Sequence, residues 1–314
     1  MRGVCAISLD TDKTFISSGI LKGRFLNFLG ETEIPASYEG GEVGSYLRQN
    51  LDVIDQRIKD SESVNSFKAE KIFLELPWHL VSKKEVEEII PLRRAKRLTC
   101  GDISYAKRYL EDKFLGWDDF CIHNLVLNYE LDGVNYVSPP LGAWAKRIKL
   151  RSYLLWVKDK IHKDTEDIFG NSDRNFSGFV ASPISLFSSV FGKKEKLQVV
   201  VSLDFERSHF VVIGKNSFTF SKEFKFGLKN IIEAIAQRFM LDFSLAEEVF
   251  YRYISFKEIP YFKEVTLKNE QGYMNLSTQT LNSFVKDCIK GEIEIILKAI
   301  KEKVPDEDLS LIHI

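Results

Sequence analysis

The first hundred residues alternate between short apolar runs and polar turns. The period-two pattern predicts three strands in an antiparallel meander, at Val4 to Leu9, Thr14 to Ser18 and Phe25 to Ile34. Apolar residues at helical spacing follow, at Leu47, Leu51, Ile54 and Ile58, and Lys71 to Leu76 is typical of another strand. This order of elements indicates an α/β unit.

The middle of the chain has a different pattern. Thr99 is a candidate N-cap of a helix, and a hairpin with an Asp132-Gly133 turn follows it. Another strand at Ile148 to Val157 leads into a helix from about residue 158. We therefore predict an α+β insertion at 98–157, between a first half at 1–97 and a second half at 178–314, with a connecting helix and linker at 158–177.

A short internal repeat links the two halves. Ile7-Ser8-Leu9-Asp10 recurs as Val201-Ser202-Leu203-Asp204, and each copy ends an apolar strand. A second strand, a third strand and a helix follow both copies in the same order. The repeat predicts a duplicated fold with one strand-hairpin-helix plan in each half.

Composition excludes several classes of protein. The 314 residues carry a formal net charge of −1, and 44% of them are apolar, which is globular composition without a global field that favours nucleic acid. The start of the chain does not resemble a signal peptide, so we expect a cytoplasmic protein. The four cysteines lie far apart without metal-ligand spacing, and we interpret them as buried small hydrophobes.

Several segments together resemble the actin-like ATPase superfamily, and within it the FtsA family of bacterial cell-division proteins. Leu98-Thr99 with Asp102-Ile103, the Asp132-Gly133 hairpin and Pro140-Leu141-Gly142 are similar to that family's inserted subdomain. From Gly227 to Glu248 the chain fits the family's glycine-helix-Ala-Glu-Glu pattern without a gap. The resemblance implies duplicated actin-like, or ribonuclease-H-like, α/β halves with an FtsA-type α+β insertion.

The same resemblance implies a vestigial nucleotide site. Its candidate residues are Asp10, Thr11, Asp204, Gly227 and Glu247. Neither hairpin has the glycine that would let backbone amides approach phosphates. Phe250 stands where the family has a lysine. ATP with Mg²⁺ is the candidate cofactor that the resemblance implies, but we expect little or no ATP hydrolysis.

Two clusters of basic residues lie within or beside the insertion, one from Arg93 to Arg97 and the other from Lys146 to Arg151. They make the insertion a candidate partner surface, and we single out Arg147 and Lys149 as partner-binding residues. The preferred hypothesis is an FtsA-like scaffold in cell division or envelope assembly, with a tubulin-like filament as partner and self-association as a further option. A PilM-like pilus or secretion assembly protein, with a peptide of an inner-membrane protein as partner, is the near alternative. An active Mg-ATP-binding ATPase is the third.

The last residues, Leu309 to Ile314, have the apolar pattern of a core strand. In the family a glycine-rich adenine-binding loop would follow, so we expect the chain to be cut short. We expect any attachment to the inner face of the cell membrane to be indirect, or through a tail beyond Ile314.

Overall fold

A computed structural model of the chain describes residues 2–10, 13–23, 25–34, 38, 42–136, 138–170, 174–185, 198–214, 217–255, 263–269, 272–303 and 310–313. The chain divides into two compact units. One is built from residues 1–195 and 213–219, and the other from residues 196–212 and 220–314.

The first unit begins with a five-stranded sheet and a helix. Its elements are β1 (Arg2–Leu9), β2 (Thr14–Lys22), β3 (Phe25–Ile34), α1 (Val43–Asn65), β4 (Ala69–Leu76) and, later in the chain, β9 (Asn175–Ala181). The strand order is β3-β2-β1-β4-β9. The first three strands form the predicted antiparallel meander, and β4 and β9 extend the sheet in parallel.

Helix α1 packs on one face of this sheet. Alternate residues of β1 are buried, as are the predicted helical positions Leu47, Ile54 and Ile58. A hydrogen bond of 2.9 Å from Ser61 Oγ to Ser18 Oγ ties the helix to β2. The apolar face of the helix, with its period of 3.6 residues, therefore packs against the apolar face of the sheet, with its period of 2.

The insertion is a four-stranded antiparallel sheet with one helix against it. Its elements are β5 (Ser82–Arg97), α2 (Cys100–Phe114), β6 (Asp119–Leu131), β7 (Val134–Tyr136) and β8 (Trp144–Lys158), with the strand order β5-β8-β6-β7. A short 3₁₀ helix, Trp78–Leu80, precedes it, and α3 (Asp159–Gly170) follows it. Buried residues of α2, such as Ala106 and Leu110, share one core with Ile148 and Leu154 of β8.

Strand β5 differs from the sequence-based expectation. The sequence pattern places residues up to 97 in the first half, yet β5 pairs with β8 from Ser82 opposite Trp156 to Pro91 opposite Arg147, and again at Lys96 and Arg97. The strand is mostly charged, and the charged Glu88 lies on the same face as its buried residues Val86, Ile90 and Leu92, which interrupts the apolar alternation. Pairing with an apolar neighbour, rather than its own pattern, makes this segment a strand. The sheet of the insertion therefore begins at residue 82.

The second unit repeats the plan of the first sheet. Its elements are β10 (Gln198–Leu203), β11 (Ser208–Gly214), β12 (Ser217–Phe224), α4 (Leu228–Phe239), α5 (Phe243–Tyr253), β13 (Glu264–Asn269), β14 (Gly272–Ser277), α6 (Thr278–Lys303) and β15 (Ser310–His313). The end of β11 and the start of β12 are counted with the first unit. The strand order β12-β11-β10-β15 matches β3-β2-β1-β4, and β15 runs parallel to β10 as β4 does to β1. The duplication predicted from the Ser-Leu-Asp repeat is confirmed.

Only one of the four cysteines is fully buried as expected, since Cys121 and Cys288 are half-buried and Cys100 is exposed. Cys5 is buried, and burial raises the pKa of Cys121 to about 12. Cys100, however, is exposed as the first residue of α2.

The start of α2 is held by a reciprocal cap. Asp102 accepts hydrogen bonds from Thr99 N–H at 3.0 Å and from Thr99 Oγ1 at 2.7 Å. Its other oxygen lies 2.5 Å from Lys96 Nζ. The hydrogen bond from Lys96, followed by those from Thr99, lowers the pKa of the Asp102 carboxyl. The first turn of α2 therefore contains a buried, charged side chain that caps the helix.

Replacing Asp102 with alanine should destabilise the protein by about 1–2 kcal/mol, because the helix loses its cap and Lys96 its partner. A carboxyl with a lowered folded-state pKa stabilises the fold above its unfolded pKa and loses that contribution as the pH falls through the folded value. The difference in thermal midpoint between Asp102→Ala and wild type should therefore shrink at acid pH. The exposed Asp112→Ala on the same helix is the control. Equal midpoints for all three proteins at neutral pH would contradict the assignment.

Candidate functional site

The two predicted aspartates lie in equivalent hairpin turns. Four residues separate β1 from β2, and four separate β10 from β11. In the first turn Asp10 N–H donates to the carbonyl of Lys13 at 3.0 Å, and in the second Asp204 N–H donates to the carbonyl of Arg207 at 2.9 Å. Each turn is therefore closed by the same backbone hydrogen bond.

The cation that closes each turn also forms an equivalent ion pair. Lys13 Nζ lies 3.2 Å from Glu33 on β3, and Arg207 lies 3.4 Å from Glu223 on β12. The third strand of each meander thus supplies a carboxylate to the turn between the first two strands. This pairing partly neutralises, inside each half, the positive charge beside its turn aspartate.

The start of α4 is bonded to the second hairpin. Leu228 N–H donates to the carbonyl of Asp204 at 3.0 Å, and Lys229 N–H donates to the carbonyl of Phe205 at 2.8 Å. Gly227 N–H is accepted by the Asn230 side chain at 2.9 Å. The first amides of a helix are the groups that would otherwise bind an anion. Here protein oxygens already accept them.

Gly227 is required by this close packing. A Cβ atom added at residue 227 would lie 2.3 Å from the Phe205 carbonyl oxygen and 2.6 Å from the Arg207 nitrogen. Its φ of −149° is ordinary extended backbone, so the constraint is space and not a left-handed conformation. The glycine that resembles the family motif therefore lets the hairpin approach the helix.

The first half uses its turn carbonyl in the same way. Tyr38 N–H donates to the carbonyl of Asp10 at 3.2 Å, so the chain leading to α1 is also fastened to the hairpin. Thr11, the remaining candidate in this turn, lies outside the described residues, as does its neighbour Asp12.

The side chain of Asp204 joins a serine and a buried histidine. Ser202 Oγ donates to Asp204 Oδ1 at 2.6 Å, and Asp204 Oδ2 lies 3.3 Å from Nδ1 of His209, which is 2% exposed. The serine donates to the carboxylate and not to the imidazole, so this order does not provide a base for a serine nucleophile. The group fixes the turn.

Glu75 is a polar residue that the sequence analysis missed. It is near the end of β4, opposite Ser8 of β1, and Ser8 Oγ donates to its carboxylate. Ser185 Oγ donates to its other oxygen at 2.6 Å. A glutamate inside the apolar run Lys71 to Leu76 was the available signal.

Helix α5 carries two more positions of the family comparison, Glu247 and Phe250. Glu247 is half-buried and forms no ion pair within the described residues, whereas its neighbour Glu248 pairs with Arg252 at 2.6 Å. Phe250 is buried in the apolar core of the second unit. The position where the family has a lysine therefore contributes to packing.

The predicted partner residues differ in their surroundings. Lys149 Nζ lies 2.9 Å from Glu87 and 3.4 Å from Glu130, and hydrogen bonds to these two carboxylates raise its pKa. Arg147 is exposed and forms no ion pair with any residue that the structure describes. Carboxylates of the sheet thus neutralise Lys149, whereas Arg147 is exposed to solvent and is not neutralised by them.

Comparison with known proteins was made by sequence and by structure. No protein-family model and no curated protein matches the sequence. A chain of a PilM–PilN type IV pilus biogenesis complex superposes with a TM-score of 0.59 and 12% identity, over 99% of this chain and 81% of that one. MreB5 of Spiroplasma citri bound to AMPPNP superposes with a TM-score of 0.51 and 7% identity, over 100% and 85%.

The chain has the actin-like ATPase fold. A third structure, the ethanolamine utilization protein EutJ from Carboxydothermus hydrogenoformans, agrees with a TM-score of 0.52 and 9% identity, over 100% of this chain and 76% of that one. Identities this low show the fold alone.

Within this fold, the described part of the second half does not fit a phosphate cradle. The amides at the start of α4 are bonded to the hairpin, the turn has no glycine, and Asp204 and Glu206 place two carboxylates there. Across the described ranges, no three His, Cys, Asp or Glu side chains gather closely enough to hold a metal ion. No helix in that part of the chain is long and apolar enough to span a membrane.

Replacing Gly227 with alanine should destabilise the second unit, by about 2 kcal/mol or more, because the hairpin must move away from α4 and its hydrogen bonds lengthen. Gly291→Ala is a control of opposite sign. Nothing lies within 4 Å of a Cβ at that helical position, so alanine there should stabilise by about 0.5–1 kcal/mol. Denaturant unfolding of both variants tests the pair. A Gly227→Ala protein as stable as wild type would show that the close approach is not needed.

Proposed function

We propose that this chain is an actin-fold scaffold that holds protein partners in bacterial envelope or division machinery, with little or no ATP turnover. The observation that carries the proposal is the bonding of the α4 amides to the carbonyls of Asp204 and Phe205. An actin-like protein that turns over ATP needs amides free to approach phosphates. A protein in which these amides donate to its own hairpin keeps the fold but lacks amides for binding phosphate.

Two further features support a binding role. The insertion has its own apolar core, so it can present a surface that partner binding does not unfold. One solved structure of this fold is a complex of PilM with PilN in type IV pilus biogenesis. We propose a comparable assembly role here, at the inner face of the cell membrane, with a peptide of a membrane protein as partner. An FtsA-like role with a tubulin-like filament is the alternative within the same scaffold class.

Titration calorimetry with Mg-ATP and Mg-AMPPNP tests the proposal on the full chain. We expect no saturable binding at micromolar nucleotide, because two carboxylates oppose the phosphates and the helix amides are occupied. Asp204→Asn removes one negative charge and is the matched variant. Binding should stay weak in it, since the hairpin carbonyls still hold α4.

One result would establish an active ATPase in place of a scaffold. This is micromolar affinity in the wild-type chain that is abolished by Asp10→Ala and Asp204→Ala together, accompanied by phosphate release.

A further inference from the structure

One stretch of the insertion carries cations that its own sheet neutralises. Lys149 pairs with Glu87 and Glu130, and Arg151 pairs with Glu85. Lys96 lies 2.5 Å from Asp102 at the start of α2. Although these three cations are clustered in sequence with others, they have acidic neighbours and so contribute little net charge to the surface.

Four further cations whose side chains the structure describes form what we call the basic strip: Arg94, Arg97, Lys146 and Arg147. All four are exposed, and none forms an ion pair with a residue in the described ranges. In the strand register Arg97 lies opposite Trp144, and Arg147 lies opposite Pro91. The register of β5 against β8 shifts between Pro91 and Lys96. The strip therefore lies at the irregular end of these two strands.

An exposed aromatic ring lies within the basic strip. Trp144 is 64% exposed, and Ile89, two residues before Pro91 on β5, is 48% exposed. Directly opposed residues of an antiparallel pair share a face, so the indole lies beside the Arg97 side chain. Tryptophan and arginine are the side chains most enriched where protein partners bind tightly. Apolar surface and uncompensated positive charge thus occur together.

We propose that the basic strip and Trp144 bind an acidic, extended segment of a protein partner. Carboxylates of the segment would contact Arg97, Lys146 and Arg147, and an apolar side chain would cover Trp144. From residue 144 to residue 147 a strand extends at most about 10 Å. Acidic residues at alternate positions of an extended peptide lie about 7 Å apart, so two of them fit the strip. This inference rests on the proposed scaffold function and specifies the chemistry of its partner.

The charge of the whole chain favours a peptide over a nucleic acid. The net charge is −1, so the chain as a whole does not attract a polyanion. Four cations over two strands suit a short acidic segment.

A pair of labelled peptides tests the proposal on the full chain. One probe alternates glutamate with leucine and carries fluorescein, and the other has glutamine in place of each glutamate. Fluorescence polarisation should show saturable binding of the glutamate peptide that weakens as salt is added. The glutamine peptide should bind at least about tenfold more weakly.

Variants locate the site. Lys146→Glu with Arg147→Glu should weaken binding by about tenfold or more, and Trp144→Ser should weaken it without changing the salt dependence. The double variant Arg57→Glu with Lys290→Glu changes the charge equally at exposed positions elsewhere, and it should bind as wild type does. Thermal midpoints of the charge variants should match wild type, because exposed charges contribute little to stability.

Three outcomes would overturn the inference. They are wild-type affinity in the Lys146→Glu, Arg147→Glu variant, equal affinity for the two peptides, or preferential binding of single-stranded oligonucleotide or anionic vesicles. These results are independent of the nucleotide titration. Absence of peptide binding with weak ATP binding removes only this partner assignment, whereas tight ATP binding removes the scaffold function.

Discussion

The amides at the start of a helix need acceptors, and in the second half of this protein the acceptors are two carbonyls of a hairpin. The bonds from Leu228 and Lys229 to Asp204 and Phe205 join the sheet to α4. Gly227 permits the approach, and Asn230 satisfies the amide that is left. The arrangement meets the hydrogen-bonding requirement of the backbone without a ligand.

Pattern and repeat were sufficient to predict the duplicated sheets. The first strand alternates regularly, and the three shared residues Ser-Leu-Asp marked the equivalent ends of β1 and β10. The family resemblance then implied the duplicated architecture. The segment of β5 was placed in the first half and not in the insertion, because its sequence is largely charged and its pairing with β8 is long-range. A local sequence pattern does not specify which distant strand a segment will pair with.

The equivalent turns that carry the candidate residues were predictable, but the contacts that these residues make were not. The sequence placed Asp10 and Asp204 in equivalent turns, yet their backbone carbonyls, and not only their side chains, make the contacts that matter. Backbone hydrogen bonds leave no residue-specific signal. Likewise, Lys149 and Arg147 look alike in sequence, and only the strand register shows that Glu87 and Glu130 neutralise the first.

The placement of the insertion also bears on how the first sheet forms. Strand β9 pairs with β4 in parallel, but the whole insertion and α3 lie between Leu76 and Asn175. Bringing the ends of so long a segment together costs loop-closure entropy, which is smaller once the insertion has folded into a compact spacer. The contacts inside the insertion are closer in sequence, so we expect it to fold before β9 joins. Pulsed hydrogen exchange would then show late protection of β9. The folded insertion would shorten the effective loop that must close before β9 can pair with β4.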